Sequence, residues 1–334
     1  MSREAPADVR LRRAASAFLL EAGGAELARI ERGDGAPAIE SPRPYLHPIR
    51  TPGGREVSAF RPADHDWHWG LSLAIANVAL AGEPHGVNFW GGPTFEHGEY
   101  RQFDNDGRQV LREARIDETD ARYRAELEWQ TPGGRAVLAE RRDLSFSLIR
   151  GRADGGPVGR SDDGGPAGWV LDWRSDWRNT AGDELGFGSP TTAGRPGAGY
   201  GGLFLRAAPE LGEAEVLLDG EVVTPEAAMG RRGTWAALRG HDRTVLLAAS
   251  AENPVAPTPW FVRTGDTVML CAAPFFDEVW RLPAGGTAEW RWRVAVFDGR
   301  PDVEELAAAA SGTDGLGDNG DPRPRLDPGA GPGA

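Results

Sequence analysis

Five of the chain's six histidines, His47, His65, His68, His85 and His97, fall within a span of 51 residues. Trp67, Trp69 and Trp90 are interleaved with them, and the centre of the stretch reads Asp64-His65-Asp66-Trp67-His68-Trp69-Gly70. Imidazole changes charge near neutral pH, and a neighbouring carboxylate fixes its tautomer, so these residues are suited to general acid–base catalysis. Indole faces beside them suit the apolar face of a sugar ring. The same side-chain types also suit zinc or non-haem iron, or simply an aromatic core that holds satisfied histidines. His65 and His68 stand three apart, which on a strand sends them to opposite faces. Both reach one ion only if the segment turns, and the sequence carries no HExxH to support a metal site.

The run that follows adds direction. As a strand it lines one face with Trp69, Leu71, Leu73 and Ile75, and the other with Gly70, Ser72, Ala74 and Ala76. The bulky face belongs in a core, while the small face leaves room for a neighbouring sheet or a ligand. His68 falls on the small face, which favours it over His65 as a site residue. Asn88-Phe89-Trp90-Gly91-Gly92-Pro93-Thr94 comes next, with glycines that allow close backbone approach. Glu140, Asp172 and Asp176 lie inside strand-like runs, where a carboxylate ordinarily takes the solvated face. Gly197-Ala198-Gly199-Tyr200-Gly201-Gly202 matches GxGxxG, yet Leu203-Phe204-Leu205-Arg206 continues it as a strand. A dinucleotide fingerprint needs a helix there, so that reading is rejected, and a role at a pocket rim is left open for this loop. Turn signals around Pro257 to Pro259 lead into Trp260, either a stacking platform or a core residue.

The elements that must position these groups are mostly strands. Arg122 to Trp129 alternates polar and apolar residues at every step, and Trp290 to Phe297 begins in the same way. Arg135 to Leu148, Ala214 to Leu218 and Val245 to Ala249 are further strand candidates. Val303 to Ala310, after Pro301 and an Asp302 cap, is the one convincing helix. Thr-Pro-Gly-Gly-Arg occurs at Thr51 to Arg55 and again at Thr131 to Arg135, each a hairpin connection in which Pro and Gly preset the turn. Gly151 to Gly168 is rich in Gly, Asp and Pro, and is read as the tip of a long hairpin in preference to a domain linker. Many antiparallel strands with Gly/Pro turns predict an all-β fold, a large antiparallel two-sheet β-sandwich. Residues 1–8 and 311–334 have almost nothing to bury and are expected to be disordered, leaving 9–310 as a single β-sandwich domain.

Composition excludes several classes. The net charge of −13 argues against nucleic acid as a partner. No run of about 18 apolar residues offers a membrane span, and the N-terminus has no signal-like apolar core. Cys271 is the lone cysteine, so no intrachain disulfide forms, and a cytoplasmic location is expected. All 37 basic residues are arginine, which rules out lysine Schiff-base chemistry and a P-loop.

Taken together, the motifs resemble the PmoA-like family of soluble bacterial proteins, whose family name refers to methane oxygenase. The resemblance rests on Arg43-Pro44-Tyr45-Leu46-His47-Pro48, Asp64-His65 through His68, Asn88 through Thr94, Phe187 through Thr192, Ala198 through Leu203 and Trp260-Phe261-Val262-Arg263. It implies a fold similar to the galactose-mutarotase supersandwich, and proteins of that architecture commonly bind or transform sugars using His and a carboxylate. Where relatives carry Asp-His-x-His-His-Arg-Gly, this chain has Trp67 and Trp69, which removes one imidazole and weakens a metal reading. Nothing in the residues supports methane oxidation.

The expectation is therefore a carbohydrate-active protein that needs no cofactor or metal. His65 and His68 are the acid/base candidates, with Asp64 to orient them. Arg43, Tyr45, Asn88 and Trp90 are candidates to hold the sugar, with Glu140, Asp172 and Trp260 as more distant contributors. The rival readings are a non-catalytic sugar-binding protein, a metal-dependent oxidoreductase and a structural interaction protein.

Overall fold

The computed structural model describes residues 9–149 and 166–311; the expected disordered ends and most of the Gly151–Gly168 segment lie outside them. Alternating residues build two nine-stranded antiparallel sheets among the described residues. The first runs in the order Val9–Arg13, Ala17–Ala22, Ala25–Glu31, Tyr45–Ile49, Leu71–Ala74, Gly202–Arg206, Met269–Ala272, Thr258–Arg263 and Arg232–Gly233. The second runs Arg108–Asp117, Arg122–Gln130, Ala136–Ile149, Gly168–Asn179, Thr287–Asp298, Arg243–Ala249, Trp235–Arg239, Glu215–Leu218 and Glu221–Val223. The fold is all-β, and the strands read from alternation are present within a few residues of their expected ends.

Period two decides what each sheet buries. Leu71, Leu73, Leu203, Leu205, Trp260 and Val262 from the first sheet meet Trp129, Leu138, Trp173 and Trp292 from the second in one core. The intervening residues Ala74, Phe204, Phe261, Met269 and Cys271 point to the opposite face of the first sheet, where they form a separate aromatic cluster with Trp90. A third cluster lies on the outer face of the second sheet under the helix Val303–Ala310, which Asp302 and Glu305 close with a capping box. A short helix, Pro225–Ala228, was not anticipated by the pattern; Thr224 caps it and Pro225 presets its first turn. Among the described residues no helix is long and apolar enough to cross a membrane.

The two Thr-Pro-Gly-Gly-Arg turns close with the same bonds. Thr51 and Thr131 each accept from the Gly three residues on, and donate to the Arg four residues on, with backbone distances of 2.9 Å throughout. In both, the threonine hydroxyl also accepts from that Arg backbone N–H, at 3.1 and 3.3 Å. Strands Ala136–Ile149 and Gly168–Asn179 pair without interruption from Leu138 opposite Asn179 to Ile149 opposite Gly168, so the flanks of the Gly-rich segment are partners in one hairpin.

Candidate functional site

The small face of strand Leu71–Ala74 does not meet the other nine-stranded sheet. Segments 61–69, 88–101 (with the small hairpin Thr94–Glu96 and Glu99–Arg101) and 190–201 fold over it, enclosing a cavity of about 400 Å³ lined by His65, Trp67, His68, Trp90, Tyr100, Tyr200 and Phe261 among others. That volume is within the range of small-molecule sites. Cys271 sits beneath, fully buried, and burial pushes its thiol up to about 12, so it is inert.

The segment from Pro62 to His68 is a pair of turns rather than a strand. His65 N–H donates to Pro62 O, and His68 N–H to His65 O. The turns reverse the strand expectation: the two imidazoles stack face to face, 4.4 Å apart and 7° from parallel. Behind them runs a chain of charge-assisted bonds. Arg206, buried at the end of strand Gly202–Arg206, places Nη1 and Nη2 3.1 Å from the Asp64 carboxylate. Asp64 also accepts from His65 Nδ1 at 2.8 Å and from the Thr267 hydroxyl at 3.3 Å. Partial burial opposes ionisation of Asp64, but the His65 hydrogen bond and Arg206 outweigh it and hold the carboxyl down at about 2.

These bonds assign both tautomers. A guanidinium has no acceptor, so the 3.1 Å contact of Arg206 Nη1 with His68 Nδ1 requires that nitrogen to accept. Burial lowers the His68 pKa well below its ordinary value, and the nearby guanidinium charges of Arg206 and Arg43 add to this. His68 is therefore neutral and carries its proton on Nε2. His65 is the reverse: an ionised Asp64 can only accept, so His65 Nδ1 holds a proton, and the neutral form of the ring has its lone pair on Nε2. Neither Nε2 has a hydrogen-bond partner among the described residues, and both rings line the cavity.

The other expected site residues separate into two groups. Trp90 lines the cavity, T-shaped against His68 at 5.5 Å. Arg43 and Asn88 do not line it; they hold its wall. Arg43, 1 % exposed, donates to the carbonyls of Glu40, Ser41, Trp67 and Trp90 and to the Ser72 hydroxyl. Asn88 Oδ1 accepts from the backbone of Trp90 and Gly91, and its amide donates to Gly92 O. Gly92, with φ of +67°, is needed there because any Cβ would sit 2.4 Å from the Trp67 ring.

Tyr45 stacks on Phe60, away from the cavity wall. Trp260 points into the sandwich and donates to Gly233 O, so it is a core residue; its neighbours Phe261 and Arg263 face the cavity instead. Glu140 and Asp172 belong to the second sheet. Glu140 is buried inside the sandwich, contrary to the solvated face expected of it, because Arg142, Ser175 and Trp129 all donate to it. Asp172 pairs with Arg293 near the C-terminal helix. Of the remaining histidines in the stretch, His47 bonds Ser58 and His85 bonds Glu96.

Reading from sequence missed Tyr100, Arg195, Tyr200, Arg206, Phe261, Arg263 and Thr267. Arg195 donates to the Tyr100 hydroxyl, which lies 3.0 Å from that of Tyr200. Tyr200 is the residue by which the glycine-rich loop forms part of the wall, and Gly199 beside it leaves room for the Phe276 ring. Among the described residues, no three side chains of His, Cys, Asp or Glu converge in a way that could hold a metal ion.

Comparison with protein-family models finds a match over residues 17–311 to DUF6807, a family of unknown function. The chain belongs to this family. That match does not support the PmoA-like name that the motifs suggest. No curated protein matches it. Among solved structures, it is similar to an α-galactosidase from Lactobacillus brevis, with 11% identity over 87% of this chain and 40% of that one, at a TM-score of 0.36. An α-galactosidase from Geobacillus stearothermophilus aligns at 12% identity over 87% and 41%, with a TM-score of 0.37. A candidate aldose 1-epimerase from Escherichia coli K12 aligns at 11% identity over 88% and 99%, with a TM-score of 0.31. The DUF6807 chain spans about 40% of the length of the galactosidases it matches. TM-scores of this size assign no function.

Proposed function

We propose that the cavity binds a sugar and moves a proton on it, with His65 as general base and His68 as a neutral hydrogen-bond donor. The observation that supports this most is the pair of opposite tautomers imposed by Asp64 and Arg206 on two stacked rings of one cavity. His65 Nε2 takes a proton from the substrate, and the imidazolium that forms is stabilised by Asp64. The electron pair released moves toward an oxygen that accepts from His68 Nε2–H. With the proton taken from the anomeric hydroxyl, the bond from the anomeric carbon to the ring oxygen breaks, that oxygen receives the proton, and the ring opens; reclosure on the other face of the carbonyl exchanges the anomers. Trp67 and Trp90 supply aromatic surface for the apolar face of the sugar, and Arg43 and Asn88 hold the backbone that carries them.

The test is a panel of reducing sugars incubated with the protein, with anomer exchange and solvent-deuterium uptake followed by proton NMR. General acid–base catalysis contributes about 10²–10⁴-fold, so His65→Gln should lower turnover of the responding sugar by at least about a hundredfold while binding changes little. Binding without acceleration by the unaltered protein would reduce the cavity to a sugar-binding site and contradict the catalytic reading.

A further inference from the structure

The cavity has an electrostatic character opposite to that of the chain. The protein carries a net charge of −13, yet no aspartate or glutamate lines this pocket. Two arginines do, Arg195 and Arg263. Most other arginines of the sheets are answered by a carboxylate, as Arg122 is by Asp143, Arg141 by Asp176 and Arg239 by Glu215. Neither Arg195 nor Arg263 has a carboxylate within 4.0 Å among the described residues. A second groove, which Arg263 also lines, carries Glu226 and Asp266, and neither of these forms an ion pair with it.

The remaining groups around the cavity do not supply the missing charge. Asp64 is committed to Arg206 and His65. Tyr200 is buried, and together with its contact to Tyr100 this raises its pKa well above the ordinary value, so it is no anion. His68 is neutral. Arg195 is held in place by the turn at Ser189–Ala198, where its backbone N–H donates to Pro190 O, and its guanidinium lies over the Tyr100 ring at 4.7 Å. Arg263 ends strand Thr258–Arg263, with its guanidinium 5.5 Å from the Phe261 ring. Aromatic rings thus fix two cationic forks at the wall of a cavity without removing their charge. Guanidinium forks are suited to oxyanions, which they bind in bidentate fashion.

We infer that the sugar taken by this cavity is acidic, bearing a carboxylate or a phosphate that Arg195 and Arg263 bind. This rests on the sugar-binding reading above and specifies its substrate class. The two sources of the oxyanion share one recognition chemistry, and a comparison of ligands separates them.

Isothermal titration with glucuronate, galacturonate and glucose 6-phosphate, against glucose and galactose, provides the test. At least one acidic sugar should bind about tenfold or more tightly than its neutral parent, which is the size expected of a hydrogen bond to a charged group. Which acid prevails identifies the oxyanion. Arg263 is exposed, so Arg263→Gln should fold normally; it should erase most of that preference while leaving neutral-sugar affinity within about twofold. Raising the salt concentration should weaken only the acidic ligand. Neutral sugars binding as tightly as acidic ones, or a preference unchanged in Arg263→Gln, would overturn the inference and leave the sugar reading intact. Failure of every sugar in the panel to bind would overturn both.

Discussion

Two polar clusters flank the first sheet, one buried and one partly exposed, and they are built from the same parts to opposite ends. Inside the sandwich, Glu140 accepts from Arg142, Ser175 and Trp129 at 2.6–2.9 Å. Arg142 also donates to Gln109, whose amide donates to Leu73 O, and its guanidinium lies over Trp173. Every carboxylate oxygen there is answered, and none of these residues lines the cavity. On the other face, Asp64, Arg206, His65 and His68 form an equally continuous chain, but it stops with two ring nitrogens lacking partners at a cavity wall. A carboxylate, an arginine and an aromatic therefore do not mark a site. The open valence does.

That contrast can be broken first by deletion. Glu140→Ala strands Arg142 as a buried cation with no route to water, and removing one partner of a buried pair costs about 3–5 kcal/mol. Arg206→Met strands Asp64, whose side chain is 39 % exposed and can rehydrate, so a loss of about 1–3 kcal/mol is expected. Urea unfolding measures both, and a larger loss at Arg206 would mean that the cavity cluster is the structural one. Ligand affinity should fall in Arg206→Met and not in Glu140→Ala.

The pH dependence sharpens the comparison on a smaller scale. The folded pKa of His68 lies well below its ordinary 6.5, so below that pH the unfolded chain binds a proton that the folded chain does not. The stability associated with neutral, buried His68 is thus present above about 6.5 and lost as pH falls, at up to about 1.4 kcal/mol per pH unit for one proton. His47, which burial and then Arg50 and Arg29 bring down to about 4, has the same sign, but it is common to both proteins in a His68→Gln comparison and cancels. Unfolding midpoints between pH 7 and pH 5 should decline less steeply in His68→Gln than in the unaltered protein. Equal slopes would place the His68 proton in both states.

The frame was largely legible because it follows from local rules. Alternation marked the strands, Asp302 marked the one long helix, and two identical pentapeptides closed two identical turns. Alternation also assigned Ala74 to the small face on which the cavity lies, but His68 reaches that cavity from a turn and not from a strand. The site was legible only in part because its wall converges from distant segments: Tyr100 from one hairpin, Arg195 from the turn at Ser189–Ala198, Tyr200 from the glycine-rich loop, Arg263 from the end of a strand and Thr267 from the turn after it. Single-residue register hid Phe261 behind Trp260, and the same alternation that sends Trp260 inward could have found it. Burial of Glu140 depended on Arg142 two residues along its own strand and Ser175 on the next, a pairing that one strand's pattern does not reveal. The stacking of His65 on His68 required turns at Pro62 and His65 that override the strand period.

The division of labour between those two rings is the centre of the account, and nitrogen NMR observes it directly. With ¹⁵N-labelled histidine, long-range proton–nitrogen correlations at pH 7 distinguish the two neutral tautomers of each ring. His68 should show its proton on Nε2, with Nδ1 bare, and should hold that form well below pH 6; His65 should carry a proton on Nδ1. A His68 ring protonated on Nδ1, or doubly protonated at pH 7, would contradict the account.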